Sequence, residues 1–171
     1  MKLSVKEFLV FSGLMCLIAG CSTKEPARLD EAEILHQNQD MLTQVIIYDV
    51  FSPPVASRIY AYSSLASYEA VRFAEKGSMS IAERLNGFGK MPQPVAGKTY
   101  NYTLAATKAF FTVVRKVRVF SVDSLVKYEN AVYQKFGQSL DDSSYQRSSA
   151  FGDSVAARVL GRESADGYTK S

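Results

Sequence analysis

The sequence predicts an all-α protein, a helical array of about five helices. Three observations predict it. Apolar residues recur at spacings near three, four and seven in successive stretches, as on the buried face of a helix. Clusters of Gly, Pro and Ser divide those stretches from one another. No run alternates apolar and polar residues as a half-buried strand would, and no internal repeat is present.

Composition sets the frame for these elements. A chain of 171 residues with 47% apolar and 22% charged residues can bury a hydrophobic core and belongs with globular rather than disordered proteins. The net charge of +3 is too weak to point to nucleic acid as a partner.

The first element is an export signal rather than part of the fold. Lys2 and Lys6 precede the apolar run Phe8 to Ile18, which is too short to span a bilayer and is followed by small residues. The run ends in Ile18-Ala19-Gly20-Cys21, which resembles a bacterial lipobox. Residues 1–20 then form a lipoprotein signal peptide, and Cys21 becomes the lipidated first residue of the mature chain. The alternative is a plain signal peptide with an incidental cysteine. Removing Lys2, Lys6 and Glu7 leaves a charge of +2, and losing Cys16 leaves no second cysteine for an intramolecular disulfide. Acyl chains would hold the protein to a membrane surface. Residues 21–30 read as a polar tether and residues 31–171 as the helical domain.

Helix one begins near Asp30, carries Leu35, Leu42, Val45 and Ile46 on its apolar stripe, and is expected to run to about Phe51. Pro53 disfavours helical geometry at Ser52, so one helix should stop there, while Ser52 can cap the next with Pro53 and Pro54 in its first turn. The second helix, about Val55 to Ala74, spreads Ile59, Ala61, Leu65, Ala66, Ala70 and Val71 around its axis, the mark of a helix surrounded by others. Within it Arg58, Tyr62, Glu69 and Arg72 fall on one narrow stripe, with Glu69 and Arg72 at a spacing that allows an ion pair. This polar stripe is either a paired network, buried or facing a neighbouring domain, or a solvated edge.

Gly77 and Ser78 break the second helix, residues 79–85 allow about two further turns, and the Gly- and Pro-containing run 86–98 reads as a loop. A third helix is expected from about Thr99 to Phe120, amphipathic, with Ala106, Phe110, Val113, Val117 and Phe120 opposite Lys108 and Arg115. The basic cluster at 115–118 reads as a complement to the dipole of that helix's last turn, the alternative being a phosphate or membrane contact. Ser121 can cap a fourth helix whose stripe is Leu125, Tyr128, Val132 and Phe136, ended by Gly137. In a fifth helix, Ser149, Gly152, Ala156 and Leu160 align on one side and permit close approach of a neighbour.

Few residues suggest chemistry. His36 is the single histidine, lies on helix one, has no Cys, Asp or Glu at a metal-ligand spacing, and reads as a surface residue. The sequence has no nucleophile elbow, phosphate-binding loop, dinucleotide fingerprint or zinc-protease motif, so no metal site is expected. Asp49, beside the Pro-Pro corner, reads as a local hydrogen-bond acceptor that steadies it, the alternative being a site residue.

The stretch 49–70, DVFSPPVASRIYAYSSLASYEA, resembles the N-terminal helical region of bacterial lipoproteins in the vanadium-dependent haloperoxidase and type 2 phosphatidic acid phosphatase superfamily. FSVDSL at 120–125 and ADGYTK at 165–170 support the likeness more weakly, and it covers most of the mature chain. The resemblance implies a helical array packed on a catalytic bundle, whose oxyanion pocket grips phosphate or vanadate through Lys, Arg-Pro, Pro-Ser-Gly-His and Ser-Arg to His motifs. This sequence contains no Arg-Pro or Ser-Gly-His, and His36 precedes the matched stretch, so no catalytic residue carries over.

The expectation is therefore a truncated relative without catalysis of its own, needing no cofactor unless a separate catalytic half brings vanadate or phosphate. The alternative is an independent lipid-anchored periplasmic scaffold or binding protein. Ser22 after the cysteine resembles outer-membrane lipoproteins that face the periplasm.

Overall fold

The computed structural model describes residues 30–117 and 121–168. The signal peptide, Cys21, most of the tether, Arg118 and Phe120 lie outside the described residues. Among those described, five helices follow in order: α1 Glu31–Tyr48, α2 Pro53–Val71, α3 Tyr102–Val114, α4 Val122–Ser139 and α5 Asp142–Glu163. Short 3₁₀ turns occupy Arg72–Ala74 and Ala82–Arg84, and no strand occurs among the described residues. The protein is all-α, as the apolar spacing predicts.

Contacts along α3 fix the topology. Glu31 meets Thr103 and Asn38 meets Thr107, so α1 runs parallel to α3. Phe73 meets Tyr102, and Arg115 meets Glu129, so α2 and α4 run antiparallel to it. Ser148 bonds Asn101 and Gly152 abuts Ala105, so α5 runs parallel again. All four other helices pack against α3. Its residues Thr103–Thr107, Ala109–Phe111, Val113 and Val114 are accordingly buried. The expected amphipathic helix is instead enclosed on nearly every side, because an added face is covered by each neighbour. Fully buried Leu104 and Phe111 each contribute about 1.5–3 kcal/mol through removal of apolar surface from water. No described helix is long and apolar enough to cross a membrane.

Local chemistry explains the helix ends, and several differ from expectation. α1 stops at Tyr48, three residues before Phe51, in a Schellman motif: the Phe51 N–H donates to the Ile46 carbonyl and the Val50 N–H to the Ile47 carbonyl, both at 3.2 Å. Val50 takes the position usually held by glycine, with φ of 54°. A left-handed conformation costs an L-residue about 1–2 kcal/mol, and β-branching makes valine a poor occupant. α2 then begins with Pro53 and Pro54 as its first two residues. Ser52 holds the capping position without a side-chain bond, its carbonyl accepting from Ala56 at 2.9 Å, because two prolines remove two of the four amides that need a cap.

The segment 79–85 forms one 3₁₀ turn rather than two helical turns. α3 starts later than Thr99, where Asn101 caps it by accepting from the Leu104 N–H at 2.7 Å, and it ends at Val114, short of Phe120. α4 passes through Gly137 to Ser139, where Leu140 turns extended. Gly137 is exposed, and helix glycine at such a position costs only about 1 kcal/mol. Asp141 caps α5 by accepting from the Ser144 N–H at 2.9 Å. The small-residue side of α5 meets α3 at Gly152, where a β-carbon would collide with the Ala105 carbonyl oxygen.

Candidate functional site

The polar stripe of α2 divides into two networks, each tying a different segment to the helix. At the N-terminal end, Arg58 Nη2 donates to Glu163 Oε1 at 2.5 Å and to the Glu163 carbonyl at 3.2 Å. Its Nε donates to Asp166 Oδ2 at 3.0 Å, and the Tyr62 hydroxyl donates to the same oxygen at 2.9 Å. The guanidinium also lies over the rings of Tyr62 and Tyr168, 5.2 and 4.4 Å from their centroids. Burial opposes the Arg58 charge, but Glu163 and Asp166 outweigh it and raise the pKa. Burial raises the Tyr62 pKa, and the bond to Asp166 adds to it. Burial works against the Asp166 carboxylate, yet donors from the Tyr168 N–H, Tyr62 and Arg58 hold its pKa below the ordinary value.

Glu69 and Arg72 form the second network. The Glu69 side chain is fully buried and accepts from Arg72 Nε at 3.0 Å, Ser80 Oγ at 2.9 Å and the Ala82 N–H at 2.8 Å. Arg72 also lies 4.0 Å over the Phe73 ring and reaches the Ser78 carbonyl at 3.5 Å. Both networks are enclosed by neighbouring segments rather than solvated along an edge.

Three further polar groups join elements distant in sequence. Asp49 accepts from the Ser121 N–H at 3.1 Å and from the Ser121 hydroxyl, which ties the corner to the start of α4. Arg115 pairs with buried Glu129, which also accepts from the Tyr133 hydroxyl at 2.7 Å. Burial and that bond push the Tyr133 pKa up, while burial disfavours and Glu129 more than restores the Arg115 charge. Buried Asn38 donates to Thr107 at 3.1 Å and accepts from Tyr128 at 3.3 Å. Glu129 and Asn38 carried a sequence signal: each falls on an otherwise apolar stripe, between Leu125 and Val132 and between Ile34 and Leu42.

An oxyanion cage needs cationic donors free to converge on one anion. Arg58, Arg72 and Arg115 already face carboxylates within hydrogen-bond distance. His36 is exposed on α1. No group of three or more metal-ligating side chains occurs among the described residues. This donor set does not fit phosphate or vanadate, and the networks act as ties between segments. Open grooves of about 420 Å³ and about 290 Å³ lie, respectively, between α1 and the start of α4 and beside Lys108, Tyr133 and Tyr145.

No protein-family model and no curated protein matches the sequence. Among solved structures, the chain is similar to the crystal structure of the first bacterial vanadium-dependent iodoperoxidase. The similarity has 34% identity and a TM-score of 0.72, and covers 81% of this chain and 33% of that one. The chain thus spans about a third of the length of that protein, and the likeness relates it to the vanadium haloperoxidases.

Proposed function

We propose that this protein is the structural helical part of a vanadium haloperoxidase or type 2 phosphatidic acid phosphatase-like assembly, without catalysis of its own. Its role is to form a wall against which a catalytic bundle packs. Phosphoester hydrolysis or halide oxidation then belongs to an oxyanion pocket carried by polypeptide outside these 171 residues. Vanadate or phosphate enters only with that partner.

Two observations carry this reading: a fold and sequence likeness to the iodoperoxidase across 81% of the chain, and the pairing of Arg58, Arg72 and Arg115 with carboxylates. We further assign Cys21 as a lipid anchor that holds the protein to the outer membrane on its periplasmic side. Residues 21–30 are its tether, and the protein needs no nucleic acid.

Purified full-length protein should show no phosphatase activity and no vanadate-dependent bromide or iodide peroxidase activity above the uncatalysed rate. Robust turnover by this chain alone would refute the non-catalytic role. Mass spectrometry of the membrane-extracted protein should find acyl groups on Cys21, and Cys21→Ser should move the protein into the soluble fraction.

A further inference from the structure

The α1–α2 corner combines two features that each disfavour the protein on its own. Val50 adopts the left-handed conformation of a Schellman motif, and 84% of its surface is exposed. So exposed a side chain gains little packing to offset the strain, and glycine would satisfy the same backbone. Beside it, Ile47 and Tyr48 are 71% and 79% exposed. Three exposed apolar side chains within four residues mark an interaction surface more often than a lone one does.

The corner is also stiff. Asp49 binds Ser121, and Pro53 and Pro54 fix the first turn of α2. Phe51, directly after Val50, packs against the main core. The groove of about 420 Å³ adjoins this projection and is lined by Met41, Gln44, Val45, Tyr48, Ser121 and Asp123. An apolar projection held in one conformation next to a groove with a polar rim is preorganised for a helix carrying apolar anchors.

We propose that Ile47, Tyr48 and Val50, with this groove, seat the catalytic polypeptide of the assembly. This inference rests on the structural role proposed above. Its occupant is argued from length: the chain covers 33% of the iodoperoxidase, so about two thirds of that protein has no counterpart here, and that remainder is the polypeptide a structural part would seat. The partner surface is an apolar helix face with a hydrogen-bond donor opposite Asp123.

Residues 30–168 grafted into the iodoperoxidase in place of its matched third provide the test. The thiol introduced by Val50→Cys is labelled with a maleimide and quantified by peptide mass spectrometry in both the graft and the full chain alone. Labelling should be at least about tenfold slower in the graft, the scale expected for a side chain buried at an interface. Val50→Gly should raise the midpoint of the full chain by about 2–4 °C while lowering that of the graft.

A folded, iodide-oxidising graft in which the introduced thiol reacts as fast as in the free chain overturns the docking face and leaves the structural role intact. A graft that does not fold overturns that role, and the docking face with it. Protection of the free chain by rising protein concentration assigns the face to a second copy, and protection by phospholipid vesicles assigns it to a lipid surface. Either result overturns the proposal.

Discussion

Glu69→Gln isolates what a charge inside α2 contributes. The substitution keeps side-chain volume and one carbonyl oxygen, which can still accept from Ser80 and from the Ala82 N–H. The new amide nitrogen, however, faces Arg72 Nε, where a carboxylate oxygen accepts at 3.0 Å. Donor then meets donor. Losing a hydrogen bond to a charged group costs about 1.5–3 kcal/mol, and breaking a buried ion pair costs about 3–5 kcal/mol. Arg72 retains the Phe73 ring at 4.0 Å and the Ser78 carbonyl at 3.5 Å, which offset part of this loss. The expected cost is about 2–4 kcal/mol, or a fall in Tm of about 5–15 °C for a protein of this size.

Urea and thermal denaturation followed by circular dichroism at pH 7 measure this cost. A double-mutant cycle with Glu69→Leu and Arg72→Met separates the pair from its surroundings. Glu69→Leu should be the most destabilising, because it strands Arg72, Ser80 and the Ala82 N–H together. Adding Arg72→Met should recover part of the loss by removing the unpaired charge, while Ser80 and Ala82 stay unsatisfied. A Glu69→Gln variant within about 0.5 kcal/mol of the parent would refute the reasoning, since the site would then behave as a surface position. Additive losses in the cycle would refute the pairing of Glu69 with Arg72.

Gly152→Ala should destabilise by about 1–3 kcal/mol in urea denaturation, because its methyl meets a backbone oxygen of α3 that cannot swing aside. Asp49→Ala should cost about 0.5–2 kcal/mol in the same assay, the loss expected when a helix start forfeits its acceptor, and should speed hydrogen exchange at Ser121. Acid should weaken the fold: Asp141 is held at about 2 by the Ser144 amide and hydroxyl and by Ser143, and Asp166 is also lowered. Both have folded pKa values below the ordinary 3.8, so their stabilisation is complete above the unfolded pKa and disappears as pH falls through the folded one. Urea midpoints should therefore decline between about pH 4 and pH 2, and Asp141→Asn should flatten that decline.

How much of this was legible in the sequence depends on whether partners are local. Leu125, Val132 and Phe136 announce the buried face of α4, because helical spacing alone brings them together. The Pro-Pro start of α2 is legible for the same reason. α3 misleads: Thr103 and Thr107 look like polar positions, and only Glu31 and Asn38 on α1 make their burial affordable. Gly137 signals a helix end that the fold overrides, since the buried Phe136 anchors the last turn and Leu140 turns the chain. The end of α1 carries no glycine at all, so its Schellman motif at Val50 was hidden. Arg58 could be placed on a stripe, but its carboxylate partners lie 105 and 108 residues away, beyond any local pattern.

Geometry along α2 explains why these charges hold the protein together rather than gripping an anion. Arg58 and Arg72 are 14 residues apart, and at 1.5 Å per residue their Cα atoms stand about 21 Å apart along the axis. Donors that stabilise a single oxyanion must converge to within about 3 Å of its oxygens. Two arginines separated by that distance could share one anion only if both side chains lay fully extended towards each other along the axis, and both are already bound to carboxylates. Each instead sits where a returning segment crosses the helix: Glu163 and Asp166 at one end, Ser80 and Ala82 at the other. An apolar helix with charges only at its two crossings is stiff and held at both ends. A helix held in that way suits the structural role proposed above.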